Sequence, residues 1–165
     1  MYTDQLTPKI TFSQLLQYER PQAAAWIHGG SAYPRLSGLA KFYQTNYGGV
    51  LVEVEVFGLP NISEGGSSNF YALHIHEFGD CSDDFSKTGS HYARPGQLHP
   101  DHAGDMPPLL GNQGYAWSAF YDKRFRIDDI IGKSVVIHLS RDDFTSQPAG
   151  DSGVKIGCGE IKRTT

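Results

Sequence analysis

The stretch Val50-Leu-Val-Glu-Val-Glu-Val-Phe57 carries a valine at every second position. Successive side chains of a β-strand point to opposite faces, so this spacing gives one all-valine face and one mixed face with both glutamates. Such alternation is typical of an antiparallel strand that is buried on one side only. An all-β fold is therefore the first hypothesis for this chain.

Weaker strand patterns lie on both sides of this stretch, separated by turn residues such as Gly29-Gly30 and Gly48-Gly49. The other candidate strands are 23–28, 36–44, 70–77, 115–122, 134–140 and 155–162. The chain holds 19 glycines and 9 prolines, which is enough to form the many turns that short strands require. The pattern predicts one all-β domain of about seven strands.

Three segments do not fit this pattern. Residues 1–20 are interpreted as an N-terminal extension with a short helix, because Phe12, Leu15 and Leu16 have helical spacing. The domain itself is expected at 21–165. Segments 78–113 and 141–154 are predicted to be irregular, and a loop as long as 78–113 normally has a function or a clamp.

Composition excludes several classes of protein. The formal net charge of -4 argues against a nucleic-acid binder, and there is no apolar run long enough for a transmembrane helix. Two cysteines are too few for a disulfide-stapled miniprotein, although a single Cys81–Cys158 pair is possible. The N-terminus lacks the pattern of an export signal. We expect a cytoplasmic location, or an extracytoplasmic one if a leader has been removed.

The histidines are concentrated in one part of the chain, since six of the seven fall between residues 74 and 138. His74 and His76 are two apart on a predicted strand, so both project from one face. The others in this region are His91, His99, His102 and His138, with Asp105 nearby. A lone strand histidine, such as His28, is usually an ordinary surface or core residue. The ordered set is different: it favours a metal site that clamps the long loop.

Five short motifs contain or border these histidines and the two cysteines: His74-Ile-His-Glu-Phe-Gly-Asp80, Gly89-Ser-His-Tyr92, His102-Ala-Gly-Asp105, Gly132-Lys-Ser-Val-Val-Ile-His138 and Gly157-Cys-Gly-Glu-Ile161. With these motifs, in this order, the chain resembles the copper/zinc superoxide dismutase family, in its bacterial type. The resemblance runs from about residue 23 to residue 161. It implies an eight-stranded Greek-key β-sandwich, or flattened barrel, with long metal-binding and electrostatic loops.

The resemblance also implies a role for each matching residue. Copper, one ion per chain, would be bound by His74, His76, His91 and His138. Zinc, also one per chain, would be bound by His91, His99, His102 and Asp105, so that His91 bridges the two metals. Asp142 would connect histidine ligands of the two sites, and Cys81 and Cys158 would form a disulfide.

The implied reaction converts two superoxide radicals and two protons into O₂ and H₂O₂, with His91 taking up and returning one proton and solvent supplying the other. Two departures from the family pattern concern this chemistry. The spacing from His99 to His102 is short, which shortens the zinc loop. Lys155 stands where the family usually has an arginine that attracts superoxide, and lysine keeps the charge but lacks the planar fork.

Other functions remain open at this point. A copper/zinc-binding relative with weak or no dismutase activity is favoured by Lys155. A β-sandwich binding module with a structural zinc alone is a weaker alternative, because it leaves His74, His76 and His138 without a role. The expected partner is superoxide, and a homodimer is possible.

Overall fold

The computed structural model describes residues 7–64 and 68–165, and within them eight strands and two helices form. The strands are β1 (Ala23–Gly29), β2 (Ser37–Gln44), β3 (Val50–Phe57), β4 (Phe70–His76), β5 (Asp105–Leu110), β6 (Ala116–Asp122), β7 (Ser134–His138) and β8 (Lys155–Arg163). The helices are α1 (Pro8–Tyr18) and α2 (Ile127–Ile130). Single 3₁₀ turns lie at Ile62–Glu64 and Asp83–Phe85.

All strand pairs are antiparallel, in the order β5-β4-β7-β8-β1-β2-β3-β6. The two end strands, β5 and β6, also contact each other, so the sheet is a nearly closed barrel. Links from β3 to β4 and from β6 to β7 join strands that are not neighbours, as in a Greek key. The predicted all-β, eight-stranded architecture is confirmed.

The valine face of β3 lies in the core, because Val50, Val52, Val54 and Val56 are fully buried. On the opposite face Leu51 is buried as well, beside its β6 partner Tyr121. On this side Phe12 of α1 stacks on Tyr121, with ring centroids 5.0 Å apart. The short helix predicted in the N-terminal extension is thus confirmed, while residues 1–6 of that extension lie outside the described part of the chain.

The sequence prediction failed at two elements. Residues 105–110 were assigned to the irregular segment, yet they form β5, which pairs with β4 through a register shift between Tyr71 and Leu73. Pro107 and Pro108 hid this strand, since proline cannot donate a ladder hydrogen bond and is confined to edges and bulges. The four residues of α2 are too few for a helical period to be visible.

The barrel brings the candidate ligands to one place. β4 carries His74 and His76, β7 ends at His138, and β5 begins at Asp105. Two connections close over them: the loop 77–104 from β4 to β5 and the loop 139–154 from β7 to β8. Neither described helix is long and apolar enough to cross a membrane.

Candidate metal centre

Strand pairing assembles the core of the site. In the β4–β5 pair, His74 lies opposite Asp105, and β7 runs along the other side of β4. His91, from the long loop, forms an isolated antiparallel bridge with His76. All of these side chains are buried, as are His99 and His102. Residues far apart in the sequence therefore meet inside the protein.

One group of nitrogens comes from His74, His76, His91 and His138, with one atom of each ring within 4.8 Å of the others. His76 Nδ1 lies 2.9 Å from the carbonyl of Gly89, and His138 Nδ1 lies 3.2 Å from that of Gly153. Each Nδ1–H therefore donates to a carbonyl, which leaves both Nε2 atoms as lone-pair donors for a metal. These two Nε2 atoms face each other at 3.2 Å.

The second group surrounds the carboxylate of Asp105. His91 Nδ1 lies 2.8 Å from Asp105 Oδ1, and the Nδ1 atoms of His99 and His102 each lie 3.1 Å from Asp105 Oδ2. In this group, one ligand atom from each of four residues lies within 4.8 Å of the others; the four are His74, His91, His99 and Asp105. His74 and His91 thus belong to both groups, and His102 stands just beside the second one.

His74 and His91 differ in how many nitrogens they can offer. His74 Nε2 is occupied by Asp142 Oδ2 at 2.8 Å, so only Nδ1 is free for a metal. His91 directs Nδ1 to the Asp105 side, while its Nε2 is buried on the side of His76 and His138. The partner of His91 Nδ1, Asp105, is itself a candidate metal ligand, whereas Asp142 is not. Of the two shared rings, His91 is therefore the one that directs a nitrogen into each group.

Four buried ring nitrogens support metal binding, because they have no hydrogen-bond partner in the described part of the chain. His74 Nδ1, His91 Nε2, His99 Nδ1 and His102 Nδ1 are buried and make no hydrogen bond among the residues that the structure describes. The last two lie 3.1 Å from Asp105 Oδ2, but not with the geometry of a hydrogen bond. A buried polar atom left unpaired is costly, and such atoms normally require an explanation. Two bound cations would satisfy all four, and the donor set suits them: imidazoles for copper, and imidazoles with a carboxylate for zinc.

The protonation states also suit metal binding. Burial, together with the charges of neighbouring histidines, lowers the pKa of His76 to about 2 and that of His138 to about 3. Burial lowers the pKa of His74 to about 4, although its hydrogen bond to Asp142 opposes the shift. Burial would raise the pKa of Asp105, but its contacts with the three histidines hold it below the usual value. At neutral pH the rings of His74, His76 and His138 are therefore neutral, and the Asp105 carboxylate is ionised.

Asp142 joins the two groups through one carboxylate. Its Oδ2 lies 2.8 Å from His74 Nε2 and its Oδ1 lies 2.8 Å from His99 Nε2. Burial opposes ionisation of Asp142, but the hydrogen bonds from both histidines and from the Phe144 amide keep its pKa below the usual value. The carboxylate fixes both rings with Nδ1 towards the metals.

Gly150 is a site residue that no sequence pattern identifies. A Cβ at this position would lie 2.1 Å from Asp142 Oδ1 and 2.6 Å from His99 Nε2, and the backbone has φ +67°. Only glycine fits both the close approach and the left-handed conformation. The sole sequence signal was its place within the long loop 139–154, which does not distinguish it from other loop glycines.

Lys155 begins β8 opposite His138. Its ammonium donates to Thr88 Oγ1 at 2.7 Å and to the Phe85 carbonyl at 3.2 Å. Its charge is among the influences that lower the pKa of His76 and of His138, and burial lowers the pKa of Lys155 itself. A positive charge therefore lies on the copper side of the centre. No sequence pattern selects Thr88 as a partner of Lys155.

The predicted disulfide is present between Cys81 and Cys158. Buried Phe85 packs with both cysteines and with Val136, so the bond ties the start of the long loop to β8. His28 also behaves as expected: it is exposed on β1 and meets Phe85 edge-on, outside both nitrogen groups. The residues that were predicted for the site lie together in this region.

Comparisons with known proteins agree with this geometry. Residues 36–161 match the family described as copper/zinc superoxide dismutase (SODC). A superoxide dismutase [Cu-Zn] 1 of Aquifex aeolicus is 36% identical over 141 residues, which cover 76% of this chain and 79% of that protein. An extracellular superoxide dismutase [Cu-Zn] of Oryctolagus cuniculus is 31% identical over 78% of this chain. The match covers 55% of that protein, so this chain spans about half of its length.

The chain is also similar to a copper chaperone and to one solved structure. A copper chaperone for superoxide dismutase of Sus scrofa is 28% identical over 90% of this chain and 56% of its own length. The crystal structure of the clock protein EA4 superposes with a TM-score of 0.73 at 26% identity, covering 89% of this chain and 98% of that one. The two buried groups match a copper site and a zinc site. This chain belongs to the copper/zinc superoxide dismutase family and retains an intact-looking metal centre.

Proposed function

We propose that this protein dismutates superoxide at a copper ion joined through a histidine to a zinc ion. The observation that carries the proposal is His91, whose Nδ1 lies 2.8 Å from Asp105 while its Nε2 is buried without a partner among the described residues. A ring that offers one nitrogen to each of two metal sites fits a bridging ligand. His74 has only one free nitrogen, so it fits a terminal ligand.

The ligand assignment follows from the free nitrogens. We assign copper to His74, His76, His91 and His138, and zinc to His91, His99, His102 and Asp105. His102 replaces His74 in the zinc set because its Nδ1 lies 3.1 Å from Asp105 and lacks another partner in the described chain. Copper, when bound, supplies one-electron chemistry, while zinc has no redox chemistry of its own.

The protein's own residues supply the proton and the steering charge. His91 can hold a proton at Nε2 and deliver it to the product, because that nitrogen has no competing partner among the described residues. The Lys155 ammonium attracts the superoxide anion to the copper side, and it remains partly exposed. Asp142 keeps His74 and His99 oriented throughout.

A second candidate function is copper and zinc binding with weak or no dismutase activity. The specific observation in its favour is Lys155, where the family usually has arginine. The match to a copper chaperone for superoxide dismutase, over 90% of this chain, is consistent with it. The retained set of seven buried metal-binding side chains favours the enzyme, since a carrier does not need the bridging geometry.

Three finer features belong to the same proposal. We propose that residues 1–20 are an extension added to a domain of residues 21–165. The short His99–His102 spacing and Lys155 are proposed as bacterial-type traits.

A homodimer is also proposed, and exposed Trp26 on β1 provides apolar surface that an interface would cover. Sedimentation at several protein concentrations would test the dimer.

Metal content and superoxide consumption, measured on one preparation, test the proposed function. We expect one copper and one zinc per chain and rapid dismutation. His138→Ala should lose copper and activity while retaining zinc, because His138 serves only the copper group. Full metal loading with no activity would favour the second candidate function. Unchanged activity of His138→Ala would refute the copper assignment.

A further inference from the structure

Arg124 connects the barrel to the turn that carries two of the proposed zinc ligands. It lies two residues beyond the end of β6. Its Nη1 donates to the backbone carbonyl of His102 at 3.0 Å, and its Nη2 donates to the carbonyl of Asp105. One guanidinium therefore holds both ends of the four-residue turn 102–105.

The guanidinium is itself held in place by Asp122. Arg124 Nε lies 3.1 Å from Asp122 Oδ1, and Nη2 lies 2.7 Å from Asp122 Oδ2. Asp122 is 6% exposed, and its Oδ1 also accepts the backbone N–H of Arg124 at 2.8 Å. This paired contact fixes the plane of the guanidinium and balances its charge, so that Arg124 adds little repulsion to a nearby cation.

The turn has other attachments as well. Two hydrogen bonds within the turn join its ends, at 3.1 and 3.0 Å. Its middle residue Gly104 accepts from the Ile75 N–H of β4 and donates to the Tyr92 carbonyl, both at 2.8 Å. Arg124 adds a contact that joins the carbonyls of both ligand residues, at the two ends of the turn, to a single side chain of the barrel.

We propose that Arg124 is a positioning residue for zinc. It holds His102 Nδ1 and the Asp105 carboxylate at the common point where the ion binds, and Asp122 sets its orientation. The inference rests on the zinc assignment of the proposed function and extends it to two residues that do not contact the metal. Removal of a partner that orients metal ligands typically weakens metal affinity about 10- to 100-fold.

The test measures zinc affinity by competition with a chromophoric chelator and records the visible spectrum of cobalt(II) placed in the zinc site. We expect Arg124→Gln to weaken zinc binding about 10- to 100-fold and to change the cobalt spectrum. Arg124→Lys should restore part of the affinity, because one ammonium can reach one of the two carbonyls. Lys123→Gln removes the same charge from an exposed neighbouring position and should match the parent protein.

The possible outcomes separate this inference from the proposed function. A parent-like zinc affinity and cobalt spectrum in Arg124→Gln would overturn the role of Arg124 and leave the dismutase proposal intact. An equal loss in Lys123→Gln would also overturn it, since net charge would then explain the effect. If Arg124→Gln fails to fold, Asp122→Asn, which frees the guanidinium, must show the same loss for the inference to stand. A parent protein that takes up no cobalt or zinc would overturn the zinc assignment and this inference together.

Discussion

The Asp142 carboxylate lies 2.8 Å from His74 Nε2, and this contact decides which nitrogen His74 can give to a metal. With Nε2–H donated to Asp142, the free lone pair is on Nδ1, which is buried without a partner in the described chain. The same carboxylate orients His99 through its other oxygen. One side chain from the β7–β8 loop thus sets the geometry of both proposed metal sites.

Asp142→Asn tests this relationship. An amide has one acceptor oxygen and one donor nitrogen, so it cannot accept a hydrogen bond from both rings. We expect metal affinity to fall about 10- to 100-fold in at least one site, as measured by chelator competition. Asp143→Asn, at the exposed neighbouring position, is the matched control and should retain both metals. Parent-like affinities in Asp142→Asn would contradict the linking role.

Gly150→Ala should disturb the same contact from the backbone side. The new Cβ would lie 2.1 Å from Asp142 Oδ1 and must displace it. The control is Gly96→Ala, where φ is +81° but no described atom lies within 4 Å of the new Cβ. Gly96→Ala should lose about 1 to 2 kcal/mol in the free energy of unfolding, since a left-handed residue strains any Cβ. Gly150→Ala should lose more, because the collision with Asp142 adds to the same strain.

Metal retention separates these two glycine variants. Only Gly150→Ala should also lose metal affinity, because only its Cβ reaches the ligand network. Chelator competition and urea unfolding of the metal-free proteins provide the two measurements. If Gly96→Ala released its metals as readily as Gly150→Ala, backbone strain rather than contact with Asp142 would be the cause.

The Cys81–Cys158 disulfide should contribute strongly to the stability of the metal-free protein. The cysteines are 77 residues apart, and the chain-entropy model gives about 4 to 5 kcal/mol for a loop of that length. We expect the double variant Cys81→Ala/Cys158→Ala to unfold at a clearly lower urea concentration than the oxidised parent. Reductant should destabilise the parent and leave the variant unchanged. Equal unfolding of oxidised and reduced parent would contradict the prediction.

Lys155 should determine how salt affects the reaction with superoxide. A partly exposed charge a few ångströms from an anion is worth roughly 1 kcal/mol, so Lys155→Ala should slow the reaction several-fold. The loss should be largest at low ionic strength, where screening is weakest. Lys155→Arg should equal or exceed the parent, since a guanidinium can hold the anion with two hydrogen bonds.

Two controls accompany the Lys155 series. Lys87→Ala removes an exposed lysine that pairs with Asp83, and it should have little effect on the rate constant. Arg141→Ala removes a second positive charge, which lies three residues after His138 and is exposed in the β7–β8 loop; Arg141 would steer superoxide if Lys155 did not. A slow Arg141→Ala beside a parent-like Lys155→Ala, at every salt concentration, would assign the steering charge to Arg141.

Local pattern explains why most strands could be predicted. The alternation from Val50 to Val56 has one physical cause, burial of a single face, and β3 has the predicted bounds. The spacing of His74 and His76 places both on one face of a strand for the same reason. β5 was missed because Pro107 and Pro108 suppress every local strand signal, and only pairing with β4 makes this segment a strand.

By itself, the sequence determined the fold class, the metal-binding residue types, and the family. These properties follow from local periodicity and from motifs whose residues are close together in the chain. Tertiary structure alone decided which nitrogen of each histidine is free, because that depends on partners such as Asp142, Gly89 and Gly153 from distant loops. It also brought Arg124 to the turn that begins at His102, since a contact across 22 positions leaves no periodic trace in the sequence.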